Sequence, residues 1–139
     1  MTQKVSLPSP FKLMTYDSVG STNEEAKRLA MDGEPEGVVV WAKEQSSGIG
    51  RRGRKWISPE GNLYFSILLR PQCLAIKAMQ LSFVTSLCIA EEVAHVLPSS
   101  AFISCKWPND VLVEGSKVSG ILLESQTKPL GGIDWLVIG

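Results

Sequence analysis

The stretch Gly48-Ile49-Gly50-Arg51-Arg52-Gly53-Arg54-Lys55-Trp56 sets four cations within five positions, broken by one glycine. Guanidinium groups grip phosphate or carboxylate through two parallel hydrogen bonds. The glycines let the backbone approach a ligand and offer its N–H groups. Such a loop repels itself when empty and is expected to order around an anion. A multiply charged small molecule such as ATP suits it, and Trp56 can close over an aromatic ring or a cation. Two other readings stay open on these residues alone: a solvated basic loop and an RNA contact.

Two further stretches carry chemistry. In Lys106-Trp107-Pro108-Asn109-Asp110, Pro108 fixes φ and Asn109 and Asp110 favour a turn. The same residues could offer a cation (Lys106), amide hydrogen bonds (Asn109) and a hard oxygen ligand for Mg²⁺ (Asp110). Lys117 is expected opposite Glu114 across a two-residue turn at Gly115-Ser116, which makes a surface ion pair the plain reading. Against it, Lys117 shares a strand face with Ser119, Ile121 and Leu123, and Gly120 removes a side chain where a ligand could sit. A lysine there would attract a carboxylate and then an anionic transition state.

These stretches need elements to hold them. Phe11 to Val19 reads as a strand. Thr22 with Glu25 fits a capping box opening a helix to about Asp32, stopped by Gly33. Val38 to Lys43 and Asn62 to Leu69 read as strands, and Gln45 to Lys55 as irregular loop. Met79 to Leu97 is the one long helix, with Met79, Phe83, Leu87, Ala90, Ala94 and Leu97 as a buried stripe. His95 lies beside that stripe, near the helix end, where a histidine caps or packs. Ile103 to Lys106, Val111 to Glu114, Lys117 to Glu124 and Asp134 to Ile138 complete the strands. The expected class is α+β: a mixed, largely antiparallel sheet with helices on one face. Trp135 to Gly139 ends without a cap or polar tail, so the catalytic unit is expected to be truncated at its C-terminus.

Composition narrows the function. The chain has 139 residues and 14 cations against 14 anions, so its net charge is zero. That gives no global pull toward DNA or a membrane. No apolar run approaches the ~20 residues that span a bilayer, and the start is polar, so no signal peptide is visible. Three widely spaced cysteines suggest reduced thiols in the cytoplasm. With a single histidine and no C-x-x-C pair, the chemistry must rest on Lys, Arg, carboxylates and backbone.

Taken together, the motifs resemble the bacterial biotin protein ligases. In order they are Ser21-Thr22-Asn23, Gln45-Ser46-Ser47-Gly48 running into Gly50 to Trp56, Gly61-Asn62-Leu63-Tyr64, Lys106 to Asp110, and Lys117 to Glu124. The resemblance implies the biotin/lipoate ligase catalytic fold, related to class II synthetases, over residues 11–139 behind a leader at 1–10. It implies biotin and ATP as substrates with Mg²⁺, and transfer of biotin to a lysine of a biotin carboxyl carrier protein.

By motif, Ser21, Thr22, Asn23, Gln45, Gly48, Ile49, Gly50, Arg51, Lys117 and Gly120 would bind biotin. Arg51, Arg52, Gly53, Arg54, Lys55, Trp56, Lys106 and Asn109 would bind the nucleotide. Lys117 and Arg51 would be catalytic and Asp110 would serve the metal. The family usually has arginine where this chain has Ile49, and it continues into a small β-barrel domain not contained in these residues. The ten residues before Phe11 are too few for a winged helix, so no DNA role is expected. A homodimer through sheet edges is compatible with the resemblance. Rival readings are a lipoate or octanoate ligase of the same fold and a non-catalytic biotin-binding fragment.

Overall fold

The computed structural model describes residues 5–139; the first four positions of the expected leader lie outside the described residues. The elements run β1 (Lys12–Val19), α1 (Thr22–Met31), β2 (Val38–Gln45), β3 (Tyr64–Leu69), α2 (Ala75–Ala78), α3 (Leu81–Val96), β4 (Ile103–Lys106), β5 (Asp110–Val113), β6 (Ser116–Gly120), β7 (Leu123–Thr127) and β8 (Ile133–Ile138). The class is α+β and mostly antiparallel, as expected, but the strands divide between two sheets. One has the order β1-β2-β3-β8-β7 and the other β4-β5-β6. Among the described strands only β1 and β2 pair in parallel, and α1 is the crossover between them.

The ends of α1 show why local chemistry fixes this element. Gly33, at φ +89°, donates to Ala30 O (3.2 Å), and Glu34 N donates to Leu29 O (3.0 Å). These are the two bonds of a Schellman stop, so the expected glycine terminator is borne out. The start differs from the expected capping box. Ser21 is the N-cap, its Oγ accepting from Glu24 N at 3.5 Å. The hydroxyl of Thr22 is drawn instead into a buried network with Gln45. Glu25 does not reach back to the cap; it accepts from Tyr16 Oη (2.8 Å) and pairs with Arg28 (2.7 Å).

Strand β8 carries the large sheet. Trp135 and Val137 pack with Leu68, Val38, Val40 and the α1 residues Ala26, Leu29 and Ala30. Leu136 and Ile138 face the other way, into a second cluster with Ala78, Ile121 and Ile133. A strand apolar on both faces is what a position covered on both sides requires. Arg70 ties the layers together. Its guanidinium donates to Ala30 O and Glu34 O (both 2.9 Å) at the end of α1 and to Asp134 O (3.1 Å) at the start of β8.

Two expectations are corrected. The stripe on the long helix is not buried: Met79 precedes α3 and is 68% exposed, Phe83 is 40% and Leu87 59% exposed. The helix meets the small sheet through another face, where Ser82 Oγ donates to Pro108 O (3.2 Å) and Ser86 is buried. Since α3 is apolar nearly all round, periodicity could not choose between faces. His95 is exposed at its end, 3.7 Å from Glu92. The Lys117 to Glu124 strand is also two strands, β6 ending at Gly120 and β7 joining the other sheet at Leu123.

Leu68 is fully buried at the centre of the large sheet. Leu68→Ala is expected to lower stability by about 2–5 kcal/mol, read from the urea unfolding midpoint. The hydrogen bond from Arg28 holds the Glu25 carboxyl below the usual carboxylate range. A depressed folded-state pKa contributes stability above the unfolded value of about 4.3 and loses it as pH falls through the folded value. Glu25→Gln should therefore cost stability near neutral pH and flatten the acid limb below pH ~4, in thermal melts across pH.

Candidate active site

Residues from both sheets, the start of α1, the basic loop and α3 line a cleft of about 1420 Å³. Its floor is a chain of buried polar groups. Ser66 Oγ donates to Asn23 Oδ1 (2.6 Å) and lies 2.8 Å from Thr22 Oγ1. Gln45 Oε1 accepts from Thr22 N (2.8 Å) and Thr22 Oγ1 (3.1 Å), and Gln45 Nε2 donates to Ser58 Oγ (2.9 Å). Ser58 Oγ donates in turn to Trp56 O (3.2 Å), at the root of the basic loop. At the other end, Asn23 Nδ2 donates to Glu124 Oε2 (2.9 Å), and Glu124 Oε1 pairs with Lys27 (2.9 Å).

Burial demands these bonds, and each fixes one element against another. Ser66 and Glu124 are not among the expected site residues. Ser66 does leave a signal: in the alternation Tyr64, Ser66, Leu68 it is the polar member of an inward row.

The basic loop is closed by its own backbone. Trp56 N donates to Gly48 O (2.8 Å) and Gly50 N to Arg54 O (2.7 Å), around a tight turn in which Arg52 (φ 60°) and Gly53 (φ 71°) are left-handed. Gly48 is required by space: a Cβ there would lie 2.6 Å from both Trp56 O and Ser58 Oγ. The loop leaves Arg51, Arg52, Arg54 and Lys55 exposed on the cleft.

Opposite stands the β5–β6 hairpin, whose turn is one residue from the expected place. Glu114 (φ 49°) and Gly115 (φ 77°) form it, since Val113 pairs with Ser116. The positive φ angles match the primed turns that two-residue hairpins favour. The pairing slips between Val111 and Leu112, leaving Val118 as the extra residue of a bulge. The turn sets Lys117 opposite Leu112, and the bulge gives it Gly120, not Ser119, on its own face. The Glu114–Lys117 ion pair does not form. Glu114 Oε1 accepts from Phe102 N (2.7 Å), while Lys117 Nζ pairs with Asp110 Oδ1 (2.7 Å). Trp56 does close over a cation, Lys117 Nζ standing 5.0 Å from its ring centre. A Cβ at Gly120 would come 3.1 Å from Trp56 and 3.2 Å from Lys117 Nζ, so the missing side chain makes room for both.

The cleft brings together Ser21, Thr22, Asn23, Gln45, Ile49, Gly50, Arg51, Arg52, Arg54, Lys55, Trp56, Asn109, Asp110, Lys117 and Gly120. Gly48, Gly53 and Lys106 do not line it. Gly48 lies behind the loop, Gly53 at its outer turn, and Lys106 is exposed at the end of β4. The lining offers five cations, Arg51, Arg52, Arg54, Lys55 and Lys117, against two acids, Asp110 and Glu92. Opposed cations facing a cleft floored by buried amides and hydroxyls suit an anionic ligand and its charge development. They do not suit a resident Mg²⁺: Asp110 already carries Lys117, and among the described residues no group of three acidic, histidine or cysteine side chains could hold a metal. No described helix is long and apolar enough to cross a membrane.

Known proteins share this fold. Residues 16–134 match the biotin/lipoate A/B protein ligase family, and the chain belongs to that family. A biotin–[acetyl-CoA-carboxylase] ligase of Paracoccus denitrificans is 49% identical over 105 residues, 76% of this chain and 43% of that protein. The bifunctional ligase/repressor BirA of Bacillus subtilis is 37% identical over 117 residues, 84% of this chain and 35% of its own length. Among solved structures, the biotin protein ligase of Aquifex aeolicus in complex with biotin and ATP matches with TM-score 0.72 and 38% identity. It covers 91% of this chain and 50% of that one. The Leishmania major ligase in complex with biotinyl-5-AMP matches with TM-score 0.74 and 29% identity, over 95% and 56%. The chain thus spans about half the length of these relatives, or less.

Gly48→Ala pushes a methyl onto the Trp56 carbonyl, which cannot retreat without opening the loop. An overpacking cost of about 1–3 kcal/mol is expected by urea denaturation, together with faster proteolysis between Gly50 and Lys55.

Proposed function

We propose that this chain is the biotin- and ATP-binding part of a biotin protein ligase. It would form biotinyl-5′-AMP and pass biotin to a lysine of a biotin carboxyl carrier protein. The observation that carries the reading is the convergence of Arg51, from the basic loop, and Lys117, from β6, on the neighbouring residues Asn109 and Asp110 beside the cleft. In the first step a carboxylate oxygen of biotin attacks the α-phosphorus of ATP and pyrophosphate leaves. In the second, the carrier's lysine amine attacks the acyl carbon, loses a proton, and AMP leaves. Neither step needs an enzyme nucleophile, which agrees with a cleft lined by cations and amides.

The reaction brings two anions together, so the protein's work is to align them and neutralise the charge that develops. Ser21, Thr22, Asn23 and Gln45 would frame the biotin head. Arg51 and Lys117 would stand at the junction of carboxylate and α-phosphate. Arg52, Arg54, Lys55 and Trp56 would receive the rest of the nucleotide. Magnesium would travel on the triphosphate, held by phosphate oxygens and water.

Pyrophosphate exchange into ATP tests this directly, run with biotin, with lipoate and with neither. Exchange that requires biotin is the expected outcome; exchange with lipoate alone, or none with either acid, would sink the reading. Arg51→Ala and Lys117→Ala should each lower the exchange rate roughly 10²–10³-fold, as loss of one donor to a developing oxyanion does.

A further inference from the structure

The turn ahead of β5 holds the two cations proposed for catalysis with adjacent side chains. Asn109 is 8% exposed and pinned twice to Ile121: its Nδ2 donates to Ile121 O (2.6 Å), and its own carbonyl accepts from Ile121 N (3.0 Å). Its remaining amide oxygen accepts from Arg51 Nη1 (3.1 Å). Asp110, one residue on, holds Lys117 Nζ at 2.7 Å beneath the Trp56 ring. Five cations line this cleft, and Asp110 is the acid that contacts one of them; the other, Glu92, lies with His95 at the far end of α3.

We propose that Asn109 and Asp110 are positioning residues, a dock that sets Arg51 and Lys117 side by side before any anion arrives. This deepens the ligase reading, on which it rests, and gives Asp110 a role other than metal ligand. Unpaired, two long cationic side chains brought to neighbouring residues of one turn would repel and search many rotamers. Fixing one to a buried amide and the other to a carboxylate settles that ordering cost before the reaction. Neither cation is used up. Lys117 has three N–H donors and Arg51 five, so each keeps its anchor while turning a free N–H toward a carboxylate or phosphate. The turn at Glu114-Gly115 pairs Lys117 with Leu112, on the face of the hairpin that also carries Asp110, and the bulge at Val118 sets Gly120 rather than Ser119 opposite Asp110.

Asp110→Asn keeps the shape and removes the charge. In the ligand-free protein, per-residue acetylation by an N-hydroxysuccinimide ester, read by mass spectrometry, should quicken several-fold at Lys117. Lys43, paired with Asp17 on the far strands, serves as the internal reference. Asp110→Glu should return Lys117 toward its wild-type rate. Unchanged labelling at Lys117 in Asp110→Asn overturns the dock.

In biotin-dependent exchange, Asp110→Asn should lower kcat at least tenfold with little change in the KM for biotin. The Mg²⁺ concentration giving half-maximal rate should stay the same. Added to Lys117→Ala, Asp110→Asn should cost less than threefold more, because its effect passes through Lys117. An equal loss in both backgrounds, or a raised Mg²⁺ requirement, would make Asp110 a metal-side group and end the proposal. Labelling decides the dock without turnover, so a chain silent in exchange counts against the ligase reading while the labelling rates still accept or reject the dock.

Discussion

Ser66 points inward from the middle of β3, fully buried, with Asn23 and Thr22 within 2.8 Å of its hydroxyl. A polar group in that position must be paired or it costs about 1–3 kcal/mol. Pairing it fixes the first turn of α1 on β3. From there the chain of bonds passes through Gln45 on β2 to Ser58 and the Trp56 carbonyl, and the other way through Asn23 to Glu124 on β7. Four elements and the root of the basic loop therefore share one hydrogen-bond solution. The cleft's floor and its cationic wall are positioned by the same handful of amides and hydroxyls.

Charge is arranged on a different principle. The chain is neutral overall, yet the cleft gathers five cations around one engaged carboxylate. The balancing acids lie elsewhere, exposed and away from the cleft, Glu44, Glu60 and Glu91 among them. Local excess with global neutrality concentrates attraction at one place, and low-dielectric walls strengthen it there. A small, highly charged ligand gains from this more than an extended polyanion does.

What the sequence makes legible is local. The stop of α1 at Gly33 depends on a glycine and its neighbours, and it is readable. So is the irregular glycine-arginine loop, whereas Gly120 is readable as a gap but not for what fills it: Trp56 and Lys117 stand where a ligand was expected. Features set by distant partners are not. The hairpin turn lies one residue from its expected place because Glu114 adopts a positive φ and Val118 bulges out, and neither leaves a mark in residue type. The covered face of α3 escapes periodicity because apolar residues surround that helix, so its packing against β4 and β5 decides what is covered. The meeting of Arg51 with Asn109 spans 58 positions, beyond any local pattern.

The order of strands has a consequence for how the chain is made. Strand β8 lies between β3 and β7, with Ile67 beside Ile138. During synthesis β1, α1, β2 and β3 leave the ribosome first, and β3 then has one side without its neighbour. That side is an open row of backbone donors and acceptors beside an apolar face, the kind of edge that recruits strands from other chains. The large sheet closes only after residues 133–138 have emerged, so a nascent chain is exposed to association for the time needed to translate the α3 and small-sheet segment. Crowded polysomes and slow codons between β3 and β8 would lengthen that interval, and chaperone dependence should track it.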